Sequence, residues 1–172
     1  MKLPWRRRAE PELRVLMVCM GNICRSPTAE AVLRHKLAQA GLADRIGVDS
    51  AGTYSGHAGS PPDPRMQRHA AQRGYDLSGL RARVFAADDF ARHGLILAMD
   101  DDNLVALSRQ QPVSAPPPRL LMSFAQRPDA PREVPDPYYS GPDGFERVLD
   151  LVEDACDGLL VFLQSGQGNF RA

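Results

Sequence analysis

Cysteine is scarce in this chain, with three residues in 172. So small a number, unevenly spaced, excludes the disulfide framework on which small secreted domains depend. An excess of charge of one sign is also lacking, because 21 lysines and arginines balance 21 aspartates and glutamates. The overall charge therefore gives no reason to expect a nucleic acid or an anionic membrane as a partner. No apolar run is long enough to span a bilayer, and the first dozen residues lack the apolar stretch of a secretory signal.

The chain length suits one domain with one core and one principal site. We expect a flexible N-terminal extension at 1–12, a folded domain at 13–165 and a C-terminal tail at 166–172. The extension carries the cluster Arg6 to Arg8. Acidic residues and prolines flank that cluster, which is typical of a solvated terminus.

Short apolar runs alternate with segments of helical periodicity along the chain. The first run, Leu13 to Val18, is continuous, which is typical of a strand buried on both faces of a parallel sheet. Pro27 then supplies a first-turn proline, and Gly41 ends the apolar stripe of a helix. We predict strands at 13–18, 46–49, 94–99 and 119–122, and helices near 27–41, 63–74, 100–109 and 144–164. The alternation predicts an α/β fold, a single doubly wound domain with a four-stranded parallel sheet and helices on both faces.

The end of the first strand has the residues of an anion site. Ligands in such sheets bind beyond the carboxyl ends of the strands, where Cys19 lies. Gly21 and Asn22 follow at positions where left-handed backbone conformations cost least, so the turn can direct backbone N–H groups at one centre. The positive end of the next helix favours both a thiolate and a bound phosphate there. Arg25 adds a planar fork for two phosphoryl oxygens, so we predict a nucleophilic thiol in a cup shaped for a tetrahedral oxyanion.

The loop sequence Cys-Met-Gly-Asn-Ile-Cys-Arg-Ser-Pro at 19–27 resembles the phosphate loop of the low-molecular-weight protein tyrosine phosphatases. Further motifs follow in that family's order: Asp-Ser-Ala-Gly-Thr at 49–53, Pro-Pro-Asp-Pro-Arg at 61–65, Met-Asp-x-x-Asn at 99–103 and Asp-Pro-Tyr-Tyr at 136–139. The resemblance implies a hydrolase that removes phosphate from tyrosine through a phosphocysteine intermediate.

The resemblance also implies roles for individual residues. Cys19 would be the nucleophile, Arg25 the phosphate clamp, and Asp136 the general acid and then base. A carboxyl on a proline-flanked loop can reach over the site and protonate a leaving phenolate, which supports the third assignment. The other implied site residues are the phosphate-binding loop positions Met20, Gly21, Asn22, Ile23, Cys24 and Ser26, the supporting residues Ser50 and Asn103, and the cleft wall of Tyr54, Tyr138 and Tyr139.

No metal or other cofactor is expected, because Arg25 and the loop amides would supply the positive charge. Cys24 is interpreted either as a buried structural thiol or as a redox partner that protects Cys19 through a disulfide. The family resemblance favours the redox interpretation. Cys156 falls on the apolar stripe of the last helix and is expected to belong to the core.

The cleft wall departs from the family pattern. Many members carry an aromatic residue before a His-x-Gly segment, where this chain has Gly56 before His57. The sequence leaves open whether Tyr54 replaces that ring, and substrate preference depends on the answer. The segment 54–64, rich in glycine, serine and proline, is the candidate rim of the cleft.

Three other functions are alternatives to phosphotyrosine hydrolysis. Thiol-dependent arsenate reduction needs two further cysteines after the middle strands, and 75–100 contain none. Phosphoarginine hydrolysis is disfavoured by Ile23, since related enzymes carry threonine there and the bulk of isoleucine suits a flat aromatic ester. A phosphate-binding module without turnover is disfavoured because the nucleophile, the clamp and the acid are all present.

The expected partners are phosphotyrosine-containing proteins, with a tyrosine kinase as one candidate, and neither nucleic acid nor membrane. We expect a monomer in the cytoplasm, where thiol chemistry finds the reducing conditions that it needs.

Overall fold

Four parallel strands form one sheet at the centre of the structure, a computed structural model that describes residues 9–166. The strands follow the order β2-β1-β3-β4, with β1 at Leu13–Cys19, β2 at Ile46–Gly52, β3 at Leu95–Ala98 and β4 at Arg119–Leu120. All three pairings are parallel, and helices lie on both faces of the sheet. The predicted doubly wound α/β architecture is confirmed.

Strand β1 lies inside the sheet because its side chains are apolar in both directions. Val15 and Met17 belong to the larger core cluster, whereas Leu16 and Val18 belong to the cluster on the opposite face. These four side chains have no exposed surface. A strand covered on both faces needs such a continuous apolar run, which is the pattern that the sequence shows.

Five α-helices within residues 9–166 cover the two faces of the sheet. They are α1 at Arg25–Gln39, α2 at Pro64–Gln72, α3 at Asp89–Arg92, α4 at Asp101–Ser108 and α5 at Pro142–Gln164. Helices α1, α2 and α5 contribute to the larger core, and α3 and α4 contribute Phe90 and Leu107 to the smaller one. Within the described residues, no helix combines the length and the apolar character needed to cross a bilayer.

The strand ends differ from the sequence prediction by one residue in β1 and β3 and by more in β2 and β4. Strand β2, predicted to end at Asp49, continues to Gly52 because its last three residues pair with 17–19 of β1. Sheet hydrogen bonding there outweighs the low strand propensity of serine and glycine. Strand β4, predicted to reach Met122, ends at Leu120 because its partner β3 ends at Ala98, and Leu121–Phe124 form a 3₁₀ turn instead.

The helix boundaries also shift. Helix α1 begins at Arg25 rather than Pro27, and α5 begins at Pro142 rather than Gly144. The short α3 is not predicted at all. Of the predicted terminal segments, 1–8 (with the Arg6 to Arg8 cluster) and 167–172 lie outside the described residues, and the domain boundaries stay a prediction.

The carboxyl ends of the three longer strands meet at one edge of the sheet. Cys19 lies in register with Gly52, and the N–H of Met99, just after β3, donates to the Val18 carbonyl at 3.0 Å. A Cβ added at Gly52 would lie 2.7 Å from the Met20 carbonyl oxygen. Glycine is therefore the residue that lets the chain after β1 pass so close to the end of β2.

Candidate active site

The chain leaves β1 through a tight turn, residues 19–24, which we call the cysteine loop, and enters α1 at Arg25. Asn22 in this loop has a φ of 54° and is the one non-glycine residue of 9–166 with a positive φ. Asparagine adopts this left-handed conformation more readily than most residues, because its short side chain bonds locally. The turn brings Cys19 back against Ser26, in the first turn of α1.

The Cys19 thiol lies at the floor of the loop and is only 3% exposed. Its Sγ lies 3.0 Å from Ser26 Oγ and accepts the Asn22 N–H at 3.3 Å. The start of α1 adds the positive end of a helix dipole. Two donors and a dipole are thus arranged around a sulfur that would carry negative charge.

The Asn22 side chain connects the loop to β2. Its Nδ2 donates to Ser26 Oγ at 2.8 Å and to Ser50 Oγ at 2.9 Å, while its Oδ1 accepts the Arg83 N–H at 3.0 Å. Ser50 Oγ in turn donates to Glu30 Oε2 at 2.5 Å. Burial raises the pKa of Glu30, although the Ser50 hydroxyl and an ion pair with Arg34 oppose the shift. Because Asn22 donates to both hydroxyl oxygens, the Ser50 proton is left for Glu30. The Ser26 proton is likewise left for Cys19 or the Ala51 carbonyl.

Arg25 is almost completely buried, and its guanidinium spans the site. Nη1 donates to Asp100 Oδ2 at 2.6 Å and to the Val134 carbonyl at 3.1 Å, and Nη2 lies 3.6 Å from Asp136 Oδ2. Burial acts against its charge, but Cys19 and Asp100 outweigh that effect and raise the pKa of Arg25. The fork is fixed as a permanent cation.

Asp100 is the side chain that orients Arg25 from the end of β3. It also caps α4, because its Oδ1 accepts the Asn103 N–H at 2.7 Å while Asn103 Oδ1 accepts the Asp100 N–H at 3.2 Å. Such a reciprocal cap leaves the carboxylate little freedom to rotate. Asn103, predicted as a supporting residue, therefore reaches the site only through Asp100.

Asp136 lies opposite Cys19 on the loop 131–141. The loop is attached to the sheet edge, since the Val134 N–H donates to the Met99 carbonyl at 2.8 Å. The Asp136 side chain is 46% exposed, and its Oδ1 accepts the Tyr138 N–H at 3.1 Å. The carboxyl can thus reach both the pocket and solvent.

These groups surround one open pocket of about 300 Å³. Its polar lining includes Cys19, Arg25 and Asp136, and aromatic rings line it as well. The lining residues are Cys19, Met20, Gly21, Ile23, Cys24, Arg25, Tyr54, His57, Asp136, Tyr138 and Tyr139. Of the predicted site residues, Asn22, Ser26, Ser50 and Asn103 lie behind this lining.

The structure answers the question that Gly56 raises. A Cβ at Gly56 would lie 2.2 to 2.3 Å from atoms of the Tyr54 ring, so the absence of a side chain leaves the space that Tyr54 occupies. The Tyr54 ring lines the pocket and lies edge-on to His57, with centroids 6.0 Å apart. Tyr54 therefore supplies an aromatic ring on the side of the cleft where the sequence has glycine.

The other two thiols differ from Cys19. Cys24 lines the pocket but is 4% exposed, and burial together with the nearby Asp63 carboxylate raises its pKa. Cys156 is fully buried in the core, and burial raises its pKa to about 12. All three cysteines are free thiols, and only Cys19 has hydrogen-bond donors directed at its sulfur.

Sequence reasoning missed three contributors to the site. Asp100 is named in the sequence analysis only within the Met-Asp-x-x-Asn motif and receives no role, although an acidic residue at the end of a central strand is itself a signal. Glu30 lies four residues after Ser26, so helical spacing places both on one face of α1. His57 has no local signal, because its contacts come from distant parts of the chain.

A thiol, a buried guanidinium and a carboxyl, placed around one pocket at the carboxyl edge of a parallel sheet, define a site for displacement at a tetrahedral oxyanion. Comparison with known proteins agrees with this interpretation of the site. The model of the low molecular weight phosphotyrosine protein phosphatase family matches residues 14–168. A relative from Synechocystis sp. is 47% identical over 153 residues, which cover 88% of this chain and 96% of the relative.

Other relatives and solved structures give the same result. A low molecular weight protein-tyrosine-phosphatase of Streptomyces coelicolor is 46% identical over 86% of this chain and 91% of its own length. A protein tyrosine phosphatase of Entamoeba histolytica superposes with a TM-score of 0.86 at 39% identity, over 90% of this chain and 99% of the other. A structure described as a Drosophila arginine phosphatase superposes with a TM-score of 0.80 at 34% identity, over 87% and 97%. The chain belongs to the low molecular weight phosphotyrosine protein phosphatase family.

Proposed function

We propose that this protein hydrolyses phosphotyrosine in proteins through a phosphocysteine intermediate, with Cys19 as nucleophile, Arg25 as phosphate clamp and Asp136 as general acid and base. The observation that carries the proposal is that all three side chains line one pocket that aromatic rings line as well. The thiol, the cation and the carboxyl have separate tasks in phosphoryl transfer to sulfur.

In the first step the Cys19 thiolate attacks phosphorus, the S–P bond forms and the bond from phosphorus to the phenolic oxygen breaks. Asp136 donates its proton to that oxygen, so that tyrosine leaves as a neutral phenol. Arg25 binds two of the phosphoryl oxygens and follows them into the transition state, where the charge on them is spread. Asp100 holds Arg25 in place during this motion.

In the second step the Asp136 carboxylate removes a proton from water, and the water oxygen attacks phosphorus. The S–P bond breaks, inorganic phosphate leaves and the electron pair returns to Cys19. The Ser26 hydroxyl, 3.0 Å from Sγ, can donate to the departing thiolate. No metal or other cofactor takes part in this scheme, because Arg25 and the start of α1 supply the positive charge.

The shape of the pocket favours an aryl ester. Tyr54 and Tyr138 line it and each contacts the His57 ring, and Ile23 adds an apolar surface without a hydroxyl group. A flat phenyl ring gains both burial and stacking against such rings. The likeness to a structure described as an arginine phosphatase makes phosphoarginine the competing substrate.

Two variants test the mechanism on a phosphotyrosine peptide. The wild-type enzyme is also assayed with phosphoserine, phosphoarginine and arsenate, which tests the substrate class. Cys19→Ser should abolish turnover while inorganic phosphate still binds. Asp136→Asn should lower kcat/KM, which reports the first step, by roughly 100-fold on phenyl phosphate and much less on an activated nitrophenyl ester, since the better leaving group needs no proton.

Asp129→Asn is the matched control for Asp136, because Asp129 is largely exposed, forms an ion pair with Arg127 and does not line the pocket. It should leave both rates unchanged. Turnover by the Cys19→Ser variant would contradict the nucleophile, and an equal loss on both esters in Asp136→Asn would contradict the acid. Faster hydrolysis of phosphoarginine would replace the substrate.

We further propose that the substrates are phosphotyrosine-containing proteins of the cytoplasm, with a tyrosine kinase as one candidate, and that the enzyme acts as a monomer. The free thiol of Cys19 supports this location, because a nucleophilic thiol stays reduced in a reducing compartment.

A further inference from the structure

The Tyr138 wall of the pocket contacts a cation that lies outside the pocket lining. Arg65, in the first turn of α2, places its guanidinium carbon 5.4 Å from the Tyr138 ring centroid. We propose that Arg65 is a positioning residue that fixes the Tyr138 wall relative to the cysteine loop and thereby sets the affinity for aryl esters. The inference rests on the proposed function and adds a determinant of its substrate class.

On one side Arg65 is fixed to the cysteine loop through Asp63. The guanidinium binds this carboxylate with two parallel hydrogen bonds, Nε to Oδ1 at 3.1 Å and Nη2 to Oδ2 at 2.8 Å. The Asp63 N–H donates to the carbonyl of Ile23 at 2.8 Å. Ile23 lines the pocket, so a path of two hydrogen-bonded contacts leads from the pocket to Arg65.

Asp63 holds this position firmly. Its side chain is 7% exposed, and its Oδ1 also accepts the Arg65 N–H as the cap of α2. The hydrogen bond from Arg65 lowers the pKa of Asp63, although burial opposes the shift. The carboxylate is therefore charged at neutral pH and serves as a fixed anchor for the guanidinium.

On the other side Arg65 lies between two aromatic rings. Its guanidinium carbon is 4.9 Å from the centroid of Phe145, a ring of α5 that is 2% exposed, and Tyr138 lies on the pocket side. A cation attracts the faces of both rings, and the planar guanidinium can stack on them. The buried Phe145 ring packs against Arg65, and Arg65 in turn packs against the Tyr138 ring.

The position of Tyr138 also affects the proposed acid. The Tyr138 N–H donates to Asp136 Oδ1, so a displaced Tyr138 would release one contact of that carboxyl. Lysine could keep the ion pair with Asp63 but lacks the flat surface and the two-pronged geometry. The Arg65→Lys variant therefore separates the effect of the charge, which it keeps, from the effect of the planar shape, which it lacks.

The test measures KM and kcat on a phosphotyrosine peptide together with the inhibition constant of inorganic phosphate, which has no ring. Arg65→Gln should raise KM for the peptide about 10-fold, since the cation–π contacts are lost. The inhibition constant of phosphate should stay unchanged, and kcat should fall far less than KM rises, since only one contact of Asp136 is loosened. Arg65→Lys should restore part of the KM. Arg68→Gln, an exposed position on the same helix, is the matched control and should match wild type.

A double-variant comparison separates positioning from general damage. Tyr138→Leu should raise KM, and adding Arg65→Gln to it should raise KM no further, because Arg65 acts through Tyr138. Thermal unfolding of each variant identifies any that fail to fold, in which case Arg65→Lys replaces Arg65→Gln in the same comparison.

Two kinetic patterns would overturn the inference, as would an unaffected Arg65→Gln variant. One is a parallel rise in the KM of the peptide and the inhibition constant of phosphate, which would mean that the cysteine loop itself is disturbed. The other is a full effect of the Arg65 variant in the Tyr138→Leu background. A wild-type enzyme without phosphotyrosine turnover would overturn the proposed function as well, whereas an active wild type with an unaffected Arg65→Gln variant would overturn this inference alone.

Discussion

Asn22 combines a left-handed backbone with three side-chain hydrogen bonds behind the nucleophile. Asn22→Ala removes the bonds to Ser26, Ser50 and the Arg83 N–H and leaves those buried groups short of partners. We expect the free energy of unfolding to fall by about 2 to 4 kcal/mol. The kcat on an aryl phosphate should fall roughly 100-fold, because the Ser26 hydroxyl is no longer directed at Cys19. Urea unfolding and steady-state kinetics measure the two effects.

Asn22→Gly is the matched variant, because glycine adopts a φ of 54° without strain but makes none of the side-chain bonds. It should be about 1 kcal/mol more stable than Asn22→Ala and equally slow. Equal stability of the two variants would show that backbone strain is negligible, and full activity in both would show that the hydrogen bonds do not matter.

The β1–loop–α1 element could be predicted from the sequence because its signals are local and agree with one another. A continuous apolar run marks β1, Gly21 and Asn22 mark the turn, and Pro27 marks the start of the helix. The spacing of Cys19 and Arg25 across that turn then indicates an anion site before any contact is known. Because these local signals agree with one another, both the strand and the anion site at its end can be predicted from the sequence.

Other elements depend on partners that are distant in sequence. The last three residues of β2 are extended because they pair with β1, and Gly52 pairs with Val84 as well, whereas β4 stops where β3 stops. The ring contact of Tyr138 with His57 and the bond of Asp100 to Arg25 likewise join segments that are distant in sequence. Sequence periodicity carries no information about such pairings, which explains why the composition of the pocket wall stayed open.

Strand β2 offers a test of the close approach at the site. Gly52→Ala would place a Cβ 2.7 Å from the Met20 carbonyl and 3.2 Å from Asn22 atoms, so the cysteine loop would have to move. We expect a loss of about 1 to 3 kcal/mol in stability and at least a 10-fold loss in kcat/KM on an aryl phosphate. Thermal unfolding and kinetics provide the measurements.

Gly47→Ala, in the same strand, is the control for strand propensity. Its added Cβ would meet only the side chains of Pro11 and Arg14, at 3.3 and 3.4 Å, and these can shift. It should change activity little. A Gly52→Ala variant as active as Gly47→Ala would show that the cysteine loop tolerates displacement.

At the scale of the whole molecule, charged clusters join elements that the sheet alone does not connect. Arg83, on the segment before α3, binds Asp49 of β2 at 2.7 Å and Asp89 of α3 at 2.9 and 3.0 Å. The buried His93 at the end of α3 lies 3.7 Å from the same Asp49 carboxylate. This cluster attaches the segment that donates its Arg83 N–H to Asn22, so its charge state bears on the site as well as on the fold.

The cluster predicts how stability falls in acid. Burial opposes the ionisation of Asp49, but the nearby His93 ring and the hydrogen bond from Arg83 outweigh it and hold the pKa of this carboxyl well below its ordinary value. A lowered folded-state pKa contributes stability that is complete above the unfolded-state pKa, about 4, and is lost as pH falls below it. Asp49→Asn should therefore lower the melting temperature at pH 7 and flatten its decline between about pH 4 and 2. Asparagine keeps the size of the side chain but cannot ionise. If the melting temperature of the variant declines with falling pH as steeply as that of wild type, other carboxyls determine acid unfolding.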